Sequence, residues 1–246
     1  MYDLARLSLQ DVTEIGIALR SLGKNSDSLE TVANRCVQYF YQNLIDPITG
    51  QSACTLVRLF KTHAYADLPA ELQSCETRLD DADQSTDELK CLTLLGTAGD
   101  QFEWQNRRRS KGHQVIPLTS EEAVQKIPMI SQLITAFGFK TRYVLAPDPE
   151  LLTELAQKTC NVFYVPKALG SPFIPAQSEF VEPFGVQSVL GFGGMLPSGN
   201  LFTVILFSKV IIPKSTAQLF KTLPLNIKMS ILPFDKKQIF QVLQSA

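Results

Sequence analysis

Val186-Gln-Ser-Val-Leu-Gly-Phe-Gly-Gly-Met-Leu196, Pro197-Ser-Gly-Asn200 and Leu201-Phe-Thr-Val-Ile-Leu-Phe-Ser208 decide the fold. Two apolar runs of strand length flank a tetrapeptide built of turn formers, so the stretch reads as a β-hairpin. Beyond Pro213, Leu219, Phe220, Leu223, Ile227 and Ile231 recur at helical spacing as far as Phe234. Pro224 lies inside that pattern and predicts a kink, because proline removes an amide donor and clashes one turn back. Gly191, Gly193 and Gly194 loosen the first strand and permit a bulge or close backbone approach. They do not read as a phosphate cradle. Such glycines stand between a strand and a helix start, and these precede a turn and a second strand.

Working outward, Leu9, Val12, Ile15, Leu19 and Leu22 predict a first helix. Ser26 or Ser28 caps a second, whose face carries Leu29, Val32, Ala33, Cys36, Val37, Phe40 and Leu44 before Asp46-Pro47 ends it. Pro47-Ile-Thr-Gly50 is a turn signal, and Ala53-Cys-Thr-Leu-Val-Arg-Leu-Phe60 reads as a strand. Residues 67–76 predict a short helix, and Leu79–Glu88 an exposed acidic loop without the spaced oxygen ligands and central glycine of a calcium loop. Leu89–Gly96 is a further strand, stopped by Gly96-Thr-Ala-Gly99. Ile116-Pro-Leu118 is a short extended piece. Helices follow behind Ser120, over Met129–Phe137 and from Asp148 to Gln157. Asn161–Val165 is a strand, and the prolines of Gly170–Pro175 mark a loop. Ile239, Val242 and Leu243 form a small stripe that predicts a helical extension at the C-terminal end.

Composition narrows the function. With 45% hydrophobic and 19% charged residues the 246-residue chain has enough apolar material for a full core and is not a disordered segment. A net charge of −1 argues against a dedicated nucleic-acid binder, so nucleic acid is not an expected partner. The longest dense apolar run, Leu201–Phe207, is too short to span a bilayer. Met1-Tyr-Asp-Leu-Ala-Arg6 has no apolar signal core, and the expectation is cytoplasmic. Five cysteines without a Cys-x-x-Cys spacing fit reduced thiols, and two histidines exclude a histidine-rich metal site.

The element order, together with two stretches, resembles a GAF domain, a bacterial sensory module. One stretch is Ser171-Pro-Phe-Ile-Pro-Ala-Gln-Ser-Glu-Phe180 followed by Gly185–Gly199. The other is Glu103-Trp-Gln-Asn-Arg-Arg-Arg-Ser-Lys-Gly-His113 leading to Ile116-Pro-Leu118. Both are similar to GAF-like regions at the front of bacterial histidine kinases and related signalling proteins. The resemblance implies an α+β, GAF/PAS-like fold: a central antiparallel sheet with N- and C-terminal helices on one face and a ligand cavity on the other. It divides the chain into a helical extension (1–25), the sensor domain (26–234) and a helical tail (235–246). It implies a small-molecule ligand of unidentified nature, no assigned cofactor, and a kinase or cyclase output domain or partner protein. A homodimer is expected through Leu9–Leu22 and Ile227–Leu243. Ligand-biased movement of the terminal helices is the expected mechanism. No phosphoacceptor, ATP-binding or cyclase segment is legible within the 246 residues, so the expectation is a fragment or a free-standing receiver. Bilin attachment uses a cysteine beside a histidine, and none of the five has that neighbour.

Trp104, Arg107, Ser110 and His113 are the candidate ligand-binding residues, because arginine forks and an indole suit an anionic or aromatic ligand. The same run also reads as a solvated loop with one anchored tryptophan. Two other functions fit the fold. One is a protein-interaction module whose cavity is filled. The other is a thiol-dependent reductase using Cys54 and Cys91, which requires a nucleophilic thiolate and a nearby resolving thiol.

Overall fold

A computed structural model describes residues 1–73, 89–110 and 112–241. The acidic stretch, Cys75, Lys111, Val242 and Leu243 lie outside the described residues. The chain opens with β1 (Tyr2–Asp3), α1 (Leu9–Ser21) and α2 (Leu29–Asn43), followed by β2 (Leu44–Ile45) and β3 (Cys54–Ala64). Then come α3 (Ala70–Gln73), β4 (Lys90–Gly99), β5 (Val115–Pro117), α4 (Glu121–Gln125), α5 (Pro128–Ala136), α6 (Thr141–Leu145) and α7 (Leu152–Gln157). The chain continues with β6 (Phe163–Val165), β7 (Ser188–Met195), β8 (Leu201–Ser208), α8 (Lys214–Leu219) and α9 (Leu223–Ile231).

Six strands form one antiparallel sheet in the order β5-β4-β3-β8-β7-β6. The expected α+β architecture is therefore present. The quoted hairpin is β7–β8, with Met195 opposite Leu201 across the turn. Both strands are buried along their whole length because the sheet is covered on both faces. Helices α1, α2 and α9, from the two ends of the chain, share one cluster with Val57, Leu59, Phe192 and Leu206 on one sheet face. On the other face, Leu56, Phe60, Ile205 and Phe207 pack against Leu133 and Phe137 of the α5 region and against Ile174 and Val181.

Local chemistry explains the helix starts. Ser28 Oγ accepts the Thr31 amide, and Ser8 with Asp11 forms a reciprocal capping box. Gly193 is required by contact: a Cβ there would stand 2.0 Å from the Phe202 carbonyl oxygen.

The structure corrects several expectations. Gly96 does not stop its strand; β4 runs through it to Gly99. A side chain at Gly96 would meet the Ala33 backbone at 2.7 Å, so this glycine lets α2 lie close on the sheet. Pro224 does not kink a continuous helix. The pattern breaks into α8, a 3-10 turn and α9, with proline in the first turn of α9, where its missing amide costs nothing. The tail is not helical over its described part: residues 235–241 run as an irregular strap. Val12, Ile15, Leu19, Ile227 and Ile231, half of the expected dimer stripe, are buried inside the chain's own core. Leu9, Ile17, Leu225 and Met229 are what α1 and α9 leave exposed.

Candidate functional site

Residues 102–110, with Gly112 and His113, cover β4 where β5 no longer pairs with it. β5 reaches only Cys91, Leu92 and Thr93. The segment is held by Gln105, whose amide donates to the Gly99 carbonyl, and by two 3-10 turns, Phe102–Gln105 and Arg107–Arg109. Its side chains alternate across the sheet edge. Trp104 goes to the outer face and packs edge-on against Phe184 and Phe180, with ring centroids at 4.7 and 5.6 Å, and Phe180 rests on Phe207. Arg107 goes the other way. It is 2% exposed and forms a bidentate pair with the buried Glu30 of α2, Nε to Oε1 at 2.6 Å and Nη2 to Oε2 at 3.0 Å. Ser110 returns to the outer face and accepts a hydrogen bond from Arg58 Nη2 at 2.9 Å.

The four candidate residues therefore do not form one cluster. Ser110 and His113 come together around Arg58, Trp104 stands one row along the sheet, and Arg107 belongs to a different network. The residue at the centre, Arg58, was not singled out from the sequence. Its signal was available: an arginine set between the apolar pairs Leu56-Val57 and Leu59-Phe60 in the middle of a strand.

Arg58 lies in mid-sheet, opposite Thr97 on β4 and Ile205 on β8, so all three share the outer face. Among the described residues no carboxylate lies within ion-pair distance of it. Among the described residues its Nε and the Thr97 hydroxyl are buried without hydrogen-bond partners. Burial lowers the Arg58 pKa to about 10. His113 stands at the rim, with part of its ring open to solvent. Crowding there, and secondarily the Arg58 charge, push its pKa below the usual histidine value. Gly112 and His113 both take left-handed backbone, φ +71 and +57, a conformation that a non-glycine residue adopts at a cost. Buried polar atoms are normally paired, so an unpaired guanidinium edge, an unpaired hydroxyl and a strained histidine in one corner ask for a ligand. Geometrically the corner offers charge-assisted donors to an oxyanion.

The thiol pair fails on distance. Cys54 opens β3 beside Ser208, whereas Cys91 pairs with His63 at the far end of the same strand. Nine residues of extended chain put them roughly 30 Å apart. Burial also pushes the Cys54 thiol up to about 12, away from thiolate chemistry. Among the described residues no group of histidines, cysteines and acids is placed to hold a metal ion. Two surface cavities, of about 320 Å³ beside Tyr164–Phe173 and about 440 Å³ between α7 and α9, lie away from the Arg58 corner.

No family model matches the chain, and no curated protein matches it. Among solved structures it is similar to the phycoerythrobilin-bound GAF domain from a cyanobacterial phytochrome. The identity is 12%, the overlap covers 93% of this chain and 98% of that one, and the TM-score is 0.39. A likeness at that level is no guide to ligand or activity. Among the described residues no helix is long and apolar enough to cross a membrane.

Proposed function

We propose that this chain is a small-molecule-sensing regulatory domain of GAF type, and that its ligand carries an oxyanion. The observation that carries the reading is Arg58: a guanidinium held in a sheet face beside Thr97, Ser110 and His113, with no carboxylate among the described residues to neutralise it. An oxyanion would restore the missing charge by taking the unpaired Nε together with the Nη2 now bonded to Ser110, while Trp104, Phe180 and Phe184 offer an aromatic flank to the rest of the ligand. The setting is a cytoplasmic bacterial signalling protein, of two-component type, whose output is a kinase or cyclase domain or a partner protein. In this reading the exposed Ile17, Leu225 and Met229 supply a homodimer face. Ligand binding favours one packing of the sheet against the terminal helices, and that difference is the signal.

A titration of the 246-residue chain with acetate, benzoate and inorganic phosphate tests this. At least one anion is expected to raise Tm and release heat in calorimetry, and Arg58→Met abolishes both effects. Anions that bind the Arg58→Met protein equally well, or none that binds the wild-type chain, would remove the assignment.

A second reading is favoured by the apolar packing of the outer face, where Leu56, Phe60, Leu133, Phe137 and Ile205 fill the space between sheet and helices. On that reading the domain docks a protein, and the Arg58 corner receives an acidic side chain.

A further inference from the structure

We infer that the Arg107–Arg109 turn couples the Arg58 corner to the C-terminal strap, with Arg107 as the positioning residue. The inference rests on reading that corner as an oxyanion site. The turn is a stiff unit. Asn106 caps it through the Arg108 amide at 2.9 Å, and the Ser110 amide closes it on the Arg107 carbonyl at 3.2 Å. One end is Ser110, bonded to Arg58. The other end is Arg107, locked on Glu30.

Glu30 is also where the strap is fastened. The Gln241 amide donates to Glu30 Oε2 at 3.0 Å. The carbonyls of Gln238 and Ile239 accept the amides of Leu29 and Glu30 at 2.9 and 2.8 Å. Those two amides belong to the first turn of α2 and have no acceptor within the helix, so the strap completes them. Phe240 lies 5.4 Å from the Arg107 guanidinium carbon, over the buried ring of His63. At the root of the strap, Asp235 pairs with the buried Lys61 at 3.1 Å.

An oxyanion at Arg58 competes with Ser110 for the same guanidinium. Ser110, once released, moves with its turn, and Arg107 moves with the other end. The close two-point contact with Glu30 tolerates little stretching, so the arrangement has an engaged and a released state rather than a continuum. The anion favours the released state because only there is Arg58 free of Ser110. Strap residues 236–241 would then leave α2 and uncover Glu30, Arg107 and His63.

Amide hydrogen exchange on the full chain tests the coupling, with acetate and inorganic phosphate as probes. Exchange at residues 238–241 is expected to rise on the order of tenfold with a bound anion, while β7 and β8 stay protected. Ser110→Ala is expected to give the same loosening without any anion. Arg58→Met, which breaks that hydrogen bond from the opposite side, serves as a second variant. Loosening in either variant, with no anion binding to the wild-type chain, would sink the ligand reading and keep the coupling. Anion binding that depends on Arg58, with strap exchange unchanged in the wild-type chain and in both variants, would overturn the coupling.

Discussion

The Arg107 and Arg58 side chains lie towards opposite faces of the same sheet, and their surroundings differ. Arg107 has a buried carboxylate in bidentate contact, a second carboxylate on Glu71 at 3.2 Å and an aromatic ring beside it. Arg58 has, among the described residues, one neutral hydroxyl. A buried charge in bidentate contact with a carboxylate holds a structure together even though one donor, the Arg107 Nη1, is left over among the described residues. A half-buried guanidinium with no carboxylate among the described residues, and with its Nε buried and unpaired there, is a cost that the fold carries for some other reason. Composition and sequence position do not distinguish the two arginines, and only the partner list does.

The sharpest way to break this contrast is to remove one member of the paired network. Glu30→Ala leaves Arg107 buried without its main carboxylate and strips an acceptor from the strap. The loss is expected to be about 3–5 kcal/mol of unfolding free energy, read from urea denaturation. A change below about 1 kcal/mol would mean that the network is a surface-like pair of small worth. Asp235→Asn does the same to Lys61 at the root of the strap. Its effect is expected to be nearer the lower end of that range, because an amide still offers Lys61 an oxygen acceptor.

Acid supplies the next largest effect. His63 is buried under Phe240, and neither ring nitrogen has a hydrogen-bond partner among the described residues. Burial first, then the Lys61 and Lys90 charges, hold its pKa well below 6.5. The folded state therefore binds fewer protons than the unfolded state just below pH 6.5. Stability present above that pH is lost as pH falls towards the folded-state pKa, by up to about 1.4 kcal/mol per pH unit from this group. His63→Phe should flatten the slope of denaturation midpoint against pH between about 6.5 and 5. An unchanged slope would show that the loss comes from carboxylates instead.

These contrasts also mark what the sequence made legible. The hairpin 186–208 was readable because two strand-length apolar runs and a Pro-Ser-Gly-Asn turn leave few alternatives. α1 and α2 were readable because their stripes are long enough to show a period. α6 was not expected, since five residues are too short to reveal one. Gly96 was misread because a glycine that ends a strand and one that admits a neighbouring helix look alike until the helix is placed. The tail was misread for a related reason. Its apolar residues suit a helix, but the open amides of Leu29 and Glu30 draw its carbonyls into an extended path. At the site, Ser110 and His113 came from the resemblance. Arg58 was passed over because strand alternation treats one arginine as a surface position, and burial is a property of the covering elements, which lie far away in sequence.

The smallest stability change is expected where function is concentrated. Arg58→Met removes an uncompensated guanidinium and replaces it with a chain of similar length. Burial depresses the pKa of this group, and the one side-chain bond it makes among the described residues is to the neutral Ser110 hydroxyl. The substitution should be neutral or stabilising by about 1 kcal/mol, while oxyanion binding disappears. His113 sharpens the same point through pH. Its pKa is depressed, so near neutrality it stands uncharged beside Arg58. As pH falls through its titration a second positive charge appears at the rim. Affinity for acetate, measured by calorimetry as pH is taken down from neutrality to below 6.5, should then rise by up to about tenfold, and His113→Asn should remove that rise. An affinity that falls with acid in both proteins would mean that His113 faces away from the bound anion, leaving Arg58 and Thr97 as its donors.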